Sequence, residues 1–216
     1  VVQASPSWSL AGIVEQSATV RAPFEKAGIP ILTRDAVLRD ESIDVVAVES
    51  EVKPHAADGL AALNAGKHVH LEKPPSLNRD DMRALLDAAR RKQRLLQMGY
   101  MWRHHAGMHR LIEAVRQKWL GDIYLVRGTM NTLIGADRRP DWNLFPGGQM
   151  FEQGGHLLDP IVRMLGLPAK ITPFLRSDGN FQDGLKDNTA VVLEYPRAMA
   201  IVTSAVPLTT TQCSLR

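Results

Sequence analysis

One cysteine, Cys213, occurs in 216 residues, so no internal disulfide can form and no cysteine pair is available to bind zinc. That fits a reducing compartment and predicts a cytoplasmic location. No apolar run is long enough to span a bilayer, so no membrane partner is expected. No signal peptide is visible, although a chain that opens on Val1 leaves room for one upstream. Neither sign of charge dominates, with 26 basic and 23 acidic residues and a formal charge of +3. The two signs are interspersed, which argues against nucleic acid as a partner. The nearest basic cluster, Arg90-Arg91-Lys92 with Arg94, sits at the end of a predicted helix, where it suits the helix dipole. Among seven histidines, His105 and His109 have i, i+4 spacing beside His104, but H-E-x-x-H is absent and no metal is expected. A serine-hydrolase elbow, G-x-S-x-G, is also missing.

The residues present number enough for one large domain or two small ones, and 44% are apolar, ordinary for a chain that buries a core. The first half alternates strand and helix patterns. Strands are expected at Leu10 to Glu15, Asp44 to Ser50, His68 to Lys73 and Leu95 to Met101. Helices are expected at Thr19 to Ala27, Arg34 to Asp40, His55 to Ala65 and Arg79 to Lys92, the last capped by Asn78 with Asp81 three residues on. Strands separated by helices of this length predict right-handed crossovers and a parallel sheet covered on both faces.

After about Met101 the pattern changes. A helix is expected from His104 to Leu120 and another from Glu152 to Leu165. Strands are expected at Ile123 to Thr132, Ile171 to Arg176, Thr189 to Tyr195 and Met199 to Val206, the last two joined by the short turn Pro196 to Ala198. The expected fold is therefore a Rossmann-like α/β domain over 1–101 and an α+β domain over 102–216, with a mostly antiparallel open sheet.

A dinucleotide-binding domain should open on a strand, a G-x-G-x-x-G turn and a helix, and this chain has no such turn. It has the next expected piece, LAGIVE, ending in Glu15. An acid at the end of a second strand hydrogen-bonds ribose hydroxyls and repels the extra phosphate of NADP, so Glu15 favours NAD; the bland reading is a solvated turn carboxylate. The expectation is a domain lacking its first βα unit.

The segment AALNAGKHVHLEKPPS, Ala61 to Ser76, carries the sharpest signal. It resembles the A-L-x-A-G-K-H-V-x-x-E-K-P signature of the glucose-fructose oxidoreductase, inositol dehydrogenase and MocA family. GYMWR, Gly99 to Arg103, resembles the strand closing that family's cofactor domain. GGQMFEQGGHLLD, Gly147 to Asp159, is similar to its G-G-G-x-x-x-D-x-G-x-H-x-x-D helix start. The resemblance implies a nicotinamide-dependent dehydrogenase acting on a secondary alcohol of a sugar, inositol or related polyol, with NAD as cofactor. It also implies a homo-oligomer formed through the open sheet of the second domain.

The resemblance gives Lys73 a catalytic role beside the substrate hydroxyl. A strand end at the ligand edge of a parallel sheet suits that role, with Pro74 restricting the backbone there. An ammonium so placed stabilises a developing alkoxide and relays a proton. His156 is implied to be the general base. Glu152, where the family usually has Asp, lies four residues earlier and so on the same helix face, within reach of one ligand; a helix cap is its structural alternative. Cofactor contacts are implied for Ser50, His55, Glu72, Lys73 and Pro74, with Glu51 replacing a family proline beside Ser50. Arg103 could contact cofactor or substrate, or cap the following helix. Tyr100 could line the substrate pocket from its strand end. His68 and His70 flank the strand before Lys73, and at least one is structural. The rival readings are a non-catalytic cofactor-binding sensor and a relative that cleaves glycosides through the same hydride step.

Overall fold

The computed structural model describes residues 5–206, so Cys213 lies outside the described residues. The chain divides after Met98 into two compact units.

In the first unit, α1 (Ala18–Lys26) and α2 (Arg34–Arg39) start at Ser17 and Thr33, whose side-chain oxygens accept the N–H of Val20 and Ala36. Three parallel strands follow: β1 (Val45–Val48), β2 (His68–Leu71) and β3 (Leu96–Met98), in the order β1-β2-β3. Between them run α3 (Val52–Asn64) and α4 (Arg79–Lys92). Asn78 caps α4 as expected: its side-chain oxygen accepts from Asp81 N at 2.9 Å and its amide donates to the Asp81 carboxylate at 2.8 Å. Leu63, Leu71 and Leu85 are wholly buried, each worth about 1.5–3 kcal/mol by removal from water. α3 lies close to Leu85 because Gly59 has no Cβ; one built there would sit 3.1 Å from the Leu85 side chain. His68 is structural: its Nδ1 accepts the N–H of Leu95 at 2.9 Å, at the start of β3.

The expected buried strand at Leu10 to Glu15 does not form. The segment makes one isolated parallel bridge, Ile13 to Ile31, joins no sheet, and none of its residues is buried. Its apolar residues read as a strand, but a strand needs a ladder partner on at least one edge, and the described residues supply only that bridge. α3 begins three residues before the expected His55, and β3 stops at Met98, because Met101–His104 winds into a 3₁₀ turn.

In the second unit α5 (Ala106–Arg116) is shorter than expected. It ends where Lys118 and Gly121 take positive φ of 58° and 73°, which no α-helix continues through. β4 (Leu125–Thr129), β5 (Lys170–Arg176), β6 (Asn188–Glu194) and β7 (Met199–Ala205) form a sheet in the order β4-β7-β6-β5. β5, β6 and β7 pair antiparallel, and β4 pairs parallel with β7. Along β6 and β7 burial alternates, so one face forms the core and the other does not. Val191, Leu193, Ala200 and Val202 of the inner face pack with Met150 and Ile161. Ile161 belongs to α7 (Gly155–Leu165). Gly128 of β4 lets α7 approach; a Cβ there would stand 3.3 Å from Leu157.

A short helix the sequence did not announce, α6 (Arg139–Trp142), carries a buried ion cluster. Arg139 is 1% exposed. Its guanidinium donates to Asp183 at 2.5 Å and to Asp187 at 2.9 Å and stacks over Phe181 at 4.1 Å. Asp187 also accepts the N–H of Asp178 at 2.9 Å. The cluster ties α6 to the loop between β5 and β6.

Candidate active site

The first group of site residues lies at the C-terminal ends of the parallel strands, the edge at which open α/β sheets bind ligands. Lys73 follows β2, the central strand, and is half-buried. The Glu72 carboxylate accepts the N–H of Lys73 at 2.8 Å, and the Lys73–Pro74 peptide is cis. His55, 2% exposed, bridges two main-chain carbonyls: Nδ1 to Pro74 O at 2.9 Å and Nε2 to Ser50 O at 2.5 Å. The imidazole thereby joins the segment after β1 to the segment after β2 and shapes the backbone that presents Lys73. Ser50 donates its hydroxyl to Asp58 at 3.1 Å. The Glu15 carboxylate accepts the N–H of Ser17 at 2.6 Å just ahead of α1. Hydroxyl, carboxylate and ammonium groups at one sheet edge suit ribose hydroxyls and a carboxamide. No described residue supplies a glycine turn for a pyrophosphate.

The second group belongs to one helix of the second unit. Met150–Gly154 forms a π-helical turn that runs directly into α7, a feature frequent at functional sites. Two consecutive left-handed glycines lead into it, Gly147 at φ 87° and Gly148 at φ 55°. A Cβ on Gly148 would sit 2.6 Å from the Lys186 carbonyl oxygen, so only glycine fits. The same carbonyl accepts the N–H of Gln149 at 3.0 Å. The helix start is therefore seated on the loop that Arg139 secures. At Gly154 a Cβ would meet the Met150 sulfur at 2.2 Å, so a larger residue there would displace the Met150 side chain. Pro160 inside α7 lacks the N–H that a helix would give to the His156 carbonyl.

Glu152 lies in the π turn and is half-buried; His156 opens α7 and is 7% exposed. Tyr100 packs on the same helix start: a Cβ on Gly155 would be 3.5 Å from its ring. Burial first, and Asp159 second, push the Tyr100 phenol above its ordinary range, while Arg103 opposes them. Arg103 does more than cap. Its Nε donates to both Asp159 carboxylate oxygens, at 3.0 and 2.9 Å, and Nη2 donates to one of them. Its guanidinium carbon is 5.3 Å from the Tyr100 ring centroid. The motifs thus bring Tyr100, Arg103, Glu152, His156 and Asp159 together in one unit. Asp159 and Gln149 were passed over in sequence, although both lie inside the third motif. Gln149 is wholly buried, with neither side-chain nitrogen nor oxygen hydrogen-bonded. No group of His, Cys, Asp or Glu among the described residues is arranged to hold a metal ion.

The chain is thus a Rossmann-like parallel α/β unit followed by an α+β unit with a glycine-seated helix start. Residues 1–100 match the oxidoreductase family with an NAD-binding Rossmann fold, and residues 108–213 match the GFO/IDH/MocA C-terminal domain. The chain belongs to the Gfo/Idh/MocA oxidoreductase family. It is 33% identical over 132 residues to D-glucoside 3-dehydrogenase of Escherichia coli (strain K12), covering 58% of this chain and 37% of that one. It is 27% identical over 165 residues to trans-1,2-dihydrobenzene-1,2-diol dehydrogenase of Sus scrofa, covering 75% of this chain and 48% of that one. The chain thus spans half or less of these two curated relatives. An NAD-binding protein from Listeria innocua has the same fold, with a TM-score of 0.83 at 22% identity, over 97% of this chain and 63% of that one.

Proposed function

We propose that the intact protein transfers a hydride between a secondary alcohol carbon of a sugar, inositol or related polyol ring and NAD. Two observations, each within one unit, support this reading in a member of this family: Lys73 follows the central parallel strand of the first unit, and Glu152 and buried His156 lie on a glycine-seated helix start in the second. Bound at the sheet edge after β1 and β2, NAD would supply the hydride acceptor. His156 takes the hydroxyl proton as the carbon becomes a ketone. Lys73 stabilises the oxygen and relays the proton, Glu152 holds a neighbouring hydroxyl, and Tyr100 lines the substrate. Ser50, Glu72 and Pro74 shape the cofactor site, His55 sets its backbone, Glu15 selects NAD over NADP, and Arg103 acts within the second unit through Asp159. The substrate class is supported by the names of the glucoside and dihydrodiol dehydrogenases among the relatives. Oxidation of a ring carbon in a glucoside also primes elimination of the glycoside, so a glycoside-cleaving relative shares this first step.

The deciding experiment titrates the intact protein with NADH by tryptophan fluorescence. It then follows NAD reduction with D-glucose, methyl α-D-glucoside, myo-inositol and a trans-dihydrodiol. Turnover of at least one is expected, and its loss in His156→Asn. Binding without turnover across that panel would instead identify a sensor.

We infer self-association through the outer face of the second unit's sheet. At β6 and β7 the inner face is filled by α7, whereas Phe174 and Met199 on the outer face are 53% and 39% exposed, and an exposed apolar face calls for a cover. Light scattering should give a multiple of the chain mass; a single-chain mass at micromolar concentration would dismiss the idea. No described helix is long and apolar enough to cross a membrane. We place the protein in the cytoplasm on its single cysteine, which cell fractionation checks.

A further inference from the structure

We propose that Asp159 and Arg103 are positioning residues that together hold the Tyr100 ring against the helix start that carries His156. The inference rests on the reading that His156 and Tyr100 meet the substrate. Three contacts within one unit carry it. Asp159, one turn after His156 on α7, receives the Arg103 guanidinium along its Nε and Nη2 edge. The same guanidinium lies over the Tyr100 ring. The ring in turn lies beside Gly155, the residue before His156, where a Cβ would stand in ordinary van der Waals contact with it at 3.5 Å. A two-point Arg–carboxylate pair fixes both distance and plane, which a single bond does not. Tyr100 lies two residues past β3, just before a 3₁₀ turn, a place with no strand ladder to fix the backbone that carries its side chain. The Asp159 pair supplies that restraint from α7. Asp159 is partly buried, at 11% side-chain exposure, so the pair is shielded from the solvent that weakens surface ion pairs.

The charged groups that act on the Tyr100 phenol are Asp159 on α7 and Arg103 on its own turn. On α5, Arg110 and Glu113 are paired with each other.

The test uses the intact protein in two arms. In the first, Asp159→Asn lowers kcat/KM for the polyol that the wild type turns over by about tenfold to a hundredfold, mostly through KM. NADH affinity stays unchanged, and Asp159→Glu restores most of the loss. In Tyr100→Ala, which lacks the ring, the same Asp159→Asn change costs little more, because both act through that ring. Unchanged kinetics, or losses that simply multiply, overturn the proposal. The second arm needs no turnover. Ultraviolet absorbance follows phenol ionisation, with Tyr100→Phe as the baseline. Asp159→Asn leaves the Arg103 charge unopposed and moves the Tyr100 titration to lower pH. A titration that does not move overturns the strut even if polyol turnover is found. A wild type without turnover but with a moved titration keeps the strut and removes the dehydrogenase reading on which its purpose rests.

Discussion

Lys73→Ala should lower kcat by about a thousandfold, in the range set by losing a general acid–base group or a charge that stabilises an oxyanion. NADH affinity should change by no more than about threefold, since the interaction strengthens only as charge develops on the substrate oxygen. The ammonium is presented by backbone that other residues hold: the Glu72 carboxylate binds the Lys73 N–H and His55 bridges the carbonyls of Ser50 and Pro74. Truncation to alanine leaves that backbone intact, so the effect reads the amine itself. Lys73→Arg keeps the charge but cannot release a proton near neutrality, so it should restore binding of the developing charge without restoring proton relay. Steady-state kinetics with the preferred polyol and calorimetry with NADH separate the two. An unchanged kcat in Lys73→Ala would end the assignment.

Arg139→Met should destabilise the second unit by about 3–5 kcal/mol, the cost of removing one partner from a buried charge pair. Asp187, 3% exposed, would keep only the main-chain N–H groups of Asp178 and Gly179. The stacking over Phe181 would go as well. Arg139→Met with Asp187→Asn should recover part of the loss, because no uncompensated charge then remains. Urea denaturation measures both, and a loss below about 1 kcal/mol would make the cluster no stronger than a surface pair. The pH dependence has a defined sign. The Arg139 hydrogen bond, first among its causes, holds the Asp183 carboxyl below the usual carboxylate range. A depressed folded value contributes stability above about pH 4 that is lost as pH falls through the folded value. The stability gap between wild type and Asp183→Asn should therefore close on acidification and stay constant near neutrality. Activity should fall with stability in Arg139→Met, because the loop held by Asp183 and Asp187 carries Lys186, the seat of Gly148 and Gln149.

Local signals foretold many elements because they rest on neighbours in sequence. Asn78 and Asp81 mark the start of α4 by a reciprocal hydrogen bond three residues apart. The turn at Pro196 to Ala198 joins β6 and β7 as expected, with Tyr195 N donating to Ala198 O. Leu10 to Glu15 misled, because an apolar segment becomes a strand only when another strand borders it, and that is decided at long range. The three motifs likewise named Lys73, Glu152 and His156 but were silent on what holds their surroundings.

From sequence alone came most of the elements, the parallel first sheet and the hairpin of the second, since each is written in periodicity or caps, while contiguous motifs supplied the family resemblance. Only the tertiary structure decided that His55 braces two loops, that Arg103 belongs to Asp159, and that an arginine on an unannounced helix anchors the seat of the glycine turn. Those partners lie 19, 56 and 44 to 48 residues apart in the chain. No local pattern reports such contacts, because what selects them is the burial of charge and carbonyl groups that must find a partner once water is excluded.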